Sequence, residues 1–234
     1  MKNIFRFKQF EVDQSNCAMK INTDGVLLGA MAQHENPKRI LDIGTGTGVI
    51  ALMLAQRFPE AQVHAVEIDE QASVTAGRNF EKSVFSKRLT NSNISIEQFN
   101  NLEKFDLIVT NPPFFVNDYK NAEPKKEIAR HASHTFFAEL IKKVHELLSE
   151  KGCFWFVLPI KQAEELVERA NKYNLFLQKI IRLHSDDTKP EFRRIVCLGT
   201  EKLGLVEEYF MIYESEKRYT KAYELLLKDF FLAY

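Results

Sequence analysis

The sequence predicts an α/β protein in which a mostly parallel sheet, ending in antiparallel strands, carries helices on both faces. Three observations predict it. Short β-rich runs alternate with amphipathic stretches between residues 39 and 158, the spacing of βαβ units around a parallel sheet. A glycine-rich run, Leu41-Asp-Ile-Gly-Thr-Gly-Thr-Gly48, follows the first of these strands and opens a helix. Beyond Leu175 the chain becomes richer in strands and closes on a helix.

Taken in order, the segment before Pro37 reads as a strand pair around Phe5, Phe7, Phe10 and Val12, followed by a helix beginning at Thr23. Residues 39–43 form a buried apolar strand, and 47–58 a helix with Val49, Leu52, Met53 and Ala55 on its apolar face. A second strand covers 62–67 and a second helix 70–82, with Asp69 as its cap. Strands follow at 94–96 and 105–110. A helix over 135–149 is ended by Gly152 and followed by a strand at 153–158. The last part contributes strands at 176–183, 195–200 and 209–213 and a helix over 219–231. No Pro-, Gly- or Ser-rich linker divides the chain, so we expect one domain over 1–234: an extension over 1–36 and a core over 37–234.

Composition bounds the function. The 234 residues carry 32 Lys+Arg against 32 Asp+Glu, a formal net charge of zero, which argues against a general electrostatic binder of polyanions. Hydrophobic residues at 45% and charged residues at 27% are globular proportions and exclude a disordered or fibrous chain. No apolar run reaches the roughly 18–20 residues of a membrane span, and the first nine residues lack the apolar centre of a signal peptide. Cys17, Cys153 and Cys197 lack metal-ligand spacing and read as small core residues. We therefore expect a cytoplasmic, monomeric protein with no metal site.

The chemistry concentrates in two motifs. Glycines at 44, 46 and 48 let the backbone turn sharply and approach a ligand, with Asp42 before them and Thr45 among them. Their G-x-G-x-G spacing differs from the G-x-G-x-x-G that seats a pyrophosphate, and a cofactor without phosphates, S-adenosylmethionine, fits better. Glu67 ends the second strand, with Ile68 beside it, where a carboxylate can accept both ribose hydroxyls. The other motif, Asn111-Pro-Pro-Phe114, ends the strand over 105–110 abruptly. The Asn111 side chain and the Pro112 carbonyl can converge on one point, Pro113 stiffens the turn, and Phe114 offers a flat face. This arrangement suits a planar group bearing an NH2: adenine, cytosine or a glutamine amide.

These two motifs together resemble the Rossmann-like S-adenosylmethionine-dependent methyltransferases that act on exocyclic or amide nitrogens. A narrower likeness covers nearly the whole chain. Phe5-Arg-Phe-Lys-Gln-Phe10, Cys17-Ala-Met-Lys20, Thr23-Asp-Gly-Val-Leu-Leu-Gly29, Arg130-His131 and the closing stretch 219–232 look like the tRNA1(Val) (adenine-37 N6)-methyltransferase family. The resemblance implies methylation of adenine N6 in a tRNA anticodon loop. It also implies that Asn111 touches both cofactor and base, and that Thr23 and Asp24 lie at the methionine end, where Asp24 or Asp42 would bind the ammonium. Phe114 stands where the wider group has Tyr, and Gln98 or Glu97 stands where an Asp toward the cofactor adenine is expected.

Two segments carry a net charge of +2. Residues 120–131 hold Lys120, Lys125, Lys126 and Arg130 against two glutamates, with His131 adjacent; residues 178–194 include Lys189, Arg193 and Arg194. Both are candidate RNA contacts, as well as candidate solvated faces. Rival functions are a glutamine N5-methyltransferase acting on protein, a non-catalytic cofactor-binding RNA adaptor and, more distantly, a nicotinamide dehydrogenase.

Overall fold

The structure is a computed structural model and describes residues 3–15, 17–113 and 123–234, apart from the side chains of 123–134. Phe114 and the side chains of Lys125, Lys126, Arg130 and His131 lie outside the described residues. In chain order the elements are β1 (Ile4–Arg6), β2 (Glu11–Asp13), α1 (Thr23–Met31), β3 (Arg39–Ile43), α2 (Val49–Arg57), β4 (Gln62–Glu67) and α3 (Glu70–Lys82). They continue with β5 (Leu89–Asn93), β6 (Phe105–Thr110), α4 (Glu123–Leu147), β7 (Leu148–Leu158), α5 (Ile160–Asn171), β8 (Phe176–His184) and β9 (Glu191–Gly199). The chain closes with β10 (Val206–Met211), β11 (Tyr213–Ser215), β12 (Arg218–Tyr219) and α6 (Lys221–Leu227).

Eight strands form the central sheet in the order β10-β8-β9-β7-β6-β3-β4-β5. The stretch from β7 through β6, β3 and β4 to β5 is parallel, β9 runs against both β7 and β8, and β10 pairs parallel with β8. The antiparallel finish is thus carried by one reversed strand.

Strand alternation builds a core on each face. Ile40, Leu107, Val109, Trp155 and Val157 pack with α1, α2, α3 and α6, while Leu41, Ile43, Ile108, Phe154 and Phe156 pack with α4 and α5. The strand pair β1–β2 joins the first core through Phe7, Phe10 and Val12, and Phe7 bridges to Phe231 at the other end of the chain.

Several expected elements shift: the helix over 135–149 spans Glu123–Leu147, the strand over 153–158 begins at Leu148, the strand over 209–213 is Val206–Met211 and the helix over 219–231 is Lys221–Leu227. The third core strand is Leu89–Asn93, not 94–96. Its Thr-Asn-Ser-Asn run looks like a loop, yet each side chain is used: Thr90 and Ser92 hydrogen-bond His64, Asn91 donates to Ser73, and Asn93 donates to the Glu67 carbonyl. Gly152, expected to end a helix, lies inside β7 near its register shift against β6. There a Cβ would come within 2.7 Å of Leu148 Cγ and 3.0 Å of the Phe105 carbonyl, so glycine marks a close approach of backbone.

Candidate active site

A cavity of about 450 Å³ opens at the carboxyl ends of β3, β4 and β6, the position in which parallel α/β sheets hold ligands. Its floor is the glycine loop. Gly44 and Gly46 both have positive φ, +70° and +56°, which side-chain-bearing residues rarely adopt, and both face the cavity. The loop is pinned to the sheet by Gly44 N–H and Thr45 N–H, which donate to the Val66 carbonyl.

Asp42 and Thr45 hold the loop from within. The Thr45 hydroxyl donates to Asp42 Oδ2 at 2.6 Å, and the Ala51 N–H in the first turn of α2 donates to the same oxygen at 3.2 Å. Asp42 Oδ1 is buried without a partner, and burial pushes the carboxyl pKa up to about 7. Neither residue lines the cavity.

Gly48, expected among the cofactor contacts, does not line it either. It begins α2 with φ +83°, and a Cβ there would lie 2.5 Å from Phe80 Cε1. Glycine at 48 therefore lets α2 pack against α3.

Glu67 lines the cavity from the end of β4. Its Oε2 accepts from Gly46 N–H at 2.8 Å and its Oε1 from Asp69 N–H at 2.9 Å. Each oxygen keeps a lone pair for a further donor. Asp69 caps α3 through Ala72 N–H, as its position in the sequence suggested. Ile68, 73% exposed, faces the cavity beside Ile94 and Ile96. Of the two residues considered for the adenine side, Glu97 lines the cavity together with Ser95, and Gln98 does not.

Asn111, Pro112 and Pro113 form the wall after β6. Thr110 anchors that strand end by donating to the Ile43 carbonyl at 2.9 Å. Asn111 Nδ2 approaches Asn22 Oδ1 at 3.5 Å, and Asn111 Oδ1 is buried with no hydrogen-bond partner among the described residues. Buried acceptors are almost always satisfied, so an orphan at a cavity wall marks a place for a ligand donor.

Thr23 is exposed and does not line the cavity; the cap of α1 is Asn22, whose Oδ1 accepts Gly25 N–H at 2.9 Å. Asp24, the other residue expected at the methionine end, is ion-paired: Arg193 Nε donates to its Oδ2 at 3.0 Å. Arg193, a candidate RNA contact, is thus partnered within the fold. Arg194 is bound to Glu191 and Glu164, and Arg182 to Glu191 and Glu207, so most of this positive segment is neutralised within the fold. Lys189 stays exposed in the β8–β9 turn.

Cys17 is not a core residue: with Ala18 and Met19 it lines the cavity, and Phe136 of α4 lines it as well. Met19 and Phe136 come from segments far from the two motifs, and Phe136 sits at an ordinary helical core period that gave no separate signal. Among the described residues no His, Cys, Asp or Glu cluster could hold a metal ion, and no helix is long and apolar enough to cross a membrane.

Residues 17–172 match the family described as the methyltransferase small domain. The chain is 54% identical, over the full length of both proteins, to a tRNA1(Val) (adenine(37)-N6)-methyltransferase of Pedobacter heparinus. It is 40% identical, over 99% of each chain, to the protein of that name in Trichodesmium erythraeum. In fold it is similar to a predicted O-methyltransferase from Agrobacterium tumefaciens, with a TM-score of 0.71 at 17% identity over 88% of this chain and 96% of that one.

Proposed function

Because the chain belongs to the tRNA1(Val) (adenine(37)-N6)-methyltransferase family, we propose that it methylates the exocyclic N6 of adenine 37 in the anticodon loop of tRNA1(Val), with S-adenosylmethionine as donor. Such a substrate argues for work in the cytoplasm.

The site fits that cofactor. The cavity has the size of a small-molecule pocket, its glycine floor admits close backbone approach, and its walls are mainly apolar around a few polar groups. Glu67 would accept the ribose hydroxyls on its remaining lone pairs while its present bonds keep it aimed. Ile68 and Ile96 would flank the adenine ring. Asp42 supports the loop rather than meeting the ammonium. When bound, the cofactor supplies an electrophilic methyl on a sulfonium centre.

The chain's task is to present the nitrogen. Adenine N6 shares its lone pair with the ring and is a poor nucleophile. Asn111 Oδ1 and the Pro112 carbonyl accepting its two N–H groups would favour a pyramidal nitrogen with the lone pair turned toward the methyl. Positioning of this kind is worth up to ~7–11 kcal/mol of barrier. The same oxygens stabilise the positive charge that develops on nitrogen, as preorganised dipoles. No strong base is needed, since the methylated ammonium is acidic and loses its proton to water. Phe114 would stack on the splayed base, a contact worth ~1–3 kcal/mol, and Lys125, Lys126, Arg130 and His131 follow it in sequence as the basic segment for RNA.

The observation that carries the reading is Asn111 Oδ1, buried at the cavity wall and unpartnered among the described residues. Transfer of tritiated methyl to tRNA tests it. Asn111→Ala is expected to lower kcat by about 10²–10³, as losing one such dipole does elsewhere, with cofactor affinity nearly kept. Retained turnover would refute the role. Label entering protein instead of RNA would favour the glutamine reading.

A further inference from the structure

We infer that Asn22, the cap of α1, is a positioning residue that sets which way the Asn111 amide points; this rests on the reading of Asn111 given above. An amide side chain has two nearly isosteric ends, one that donates and one that accepts. The substrate nitrogen needs the acceptor, so the amide must be held in one of two orientations related by a half-turn.

The polarity is imposed from the helix. Gly25 N–H, one of the donors left free at the start of α1, points at Asn22 Oδ1 from 2.9 Å, and this makes the Asn22 atom at that place an oxygen. The nearest Asn111 side-chain atom lies 3.5 Å from the same oxygen and must then be Nδ2, because an oxygen there would set two acceptors face to face. Asn111 Oδ1 is turned away by default, and it is the atom found buried without a partner. The first turn of α1 sits directly on this pair: a Cβ at Gly25 would lie 3.4 Å from Asn22 Oδ1 and 3.5 Å from Asn111 Nδ2. That turn is tied in turn to β9 by Arg193 and Asp24. The polarity of a helix end is thereby passed through one side chain to the group that meets the substrate.

The test compares Asn22→Ser with Asn22→Asp. Serine keeps an oxygen to cap α1 but is one atom too short to meet Asn111; aspartate offers an oxygen to both. For each variant kcat and KM are measured with tRNA, well below its own melting midpoint, alongside cofactor affinity by calorimetry. Asn22→Ser is expected to lose about tenfold in kcat, the loss of one orienting hydrogen bond, with cofactor affinity unchanged. Asn22→Asp is expected to recover to within about threefold of the wild type. A merely structural cap would leave kcat of the folded serine variant intact. The inference is overturned if Asn22→Ser turns over at the wild-type rate, or if Asn22→Asp is as slow as Asn22→Ser. Asn111→Ala, run in parallel, separates the failures: if it retains turnover the reading of Asn111 falls, and if it is inactive beside a fully active Asn22→Ser only the role of Asn22 falls.

Discussion

Asp42 makes folding stability depend on pH in a direction opposite to most carboxylates, and Asp42→Asn isolates the effect. The side chain is fully buried beneath the glycine loop, its Oδ2 takes two hydrogen bonds, and Oδ1 has none. Burial penalises the charged form more than the two bonds repay, and the pKa rises from 3.8 to about 7. The native state then holds a proton that the unfolded chain has released. Stability from this group is fully present below pH ~4 and is lost as pH rises through ~7. Between pH 5 and 8 the loss is roughly 2.5 kcal/mol. Asp13, Asp186 and Glu191, whose pKa values are lowered, act below this window. His64, lowered by burial, works in the opposite sense within it, so the wild type alone does not report Asp42. The assay is guanidinium unfolding at pH 5, 6, 7 and 8 for wild type and variant. The expected result is a stability difference between the two proteins that changes by roughly 2.5 kcal/mol across the series. A change below about 1 kcal/mol would mean that Asp42 is ionised in the native state across this range.

Two further outcomes follow from the same contacts. Gly48→Ala combines a left-handed backbone with a Cβ driven into Phe80, and should cost about 1–3 kcal/mol in chemical unfolding; Phe80→Leu in the same chain should return only the steric part. Arg194→Ala should leave the salt dependence of tRNA binding unchanged, because its charge is already matched by Glu191 and Glu164, whereas Lys125→Ala with Lys126→Ala should flatten the log–log slope by about 1.5. The reverse pattern would move the RNA surface to β9.

The parts legible in the sequence are those whose physics is local. β3, β4 and β6 are buried on both faces, so they read as apolar runs with sharp ends. The glycine loop, Glu67 and Asn111-Pro-Pro113 announce themselves because backbone freedom, a strand-end carboxylate and paired prolines have few other uses. β5 was illegible because its polar side chains are satisfied by residues elsewhere, His64 and Ser73. The apolar Ile94 and Ile96 beside it suggested a strand but line the cavity. Long-range pairing hid the rest. Arg193 looked like a surface cation until Asp24, 169 positions away in the chain, was found beside it. Asn22 carries no signal of its own in the sequence, and only the fold brings it to Asn111, 89 positions away.

Zero net charge also acquires a structural meaning. Much of the basic character of β8 and β9 is taken up by internal ion pairs with Glu164 and Glu191.

The central claim is that this site delivers a methyl group to one adenine nitrogen in one tRNA. Its most direct test is mass spectrometry of unmodified tRNA1(Val) transcript after incubation with the protein and S-adenosylmethionine, read as nucleosides and as sequence-assigned fragments. A single added methyl, as N6-methyladenosine, is expected at position 37. Methylation of a different base, or RNA left unmethylated while protein in the same reaction gains the group, would contradict that claim.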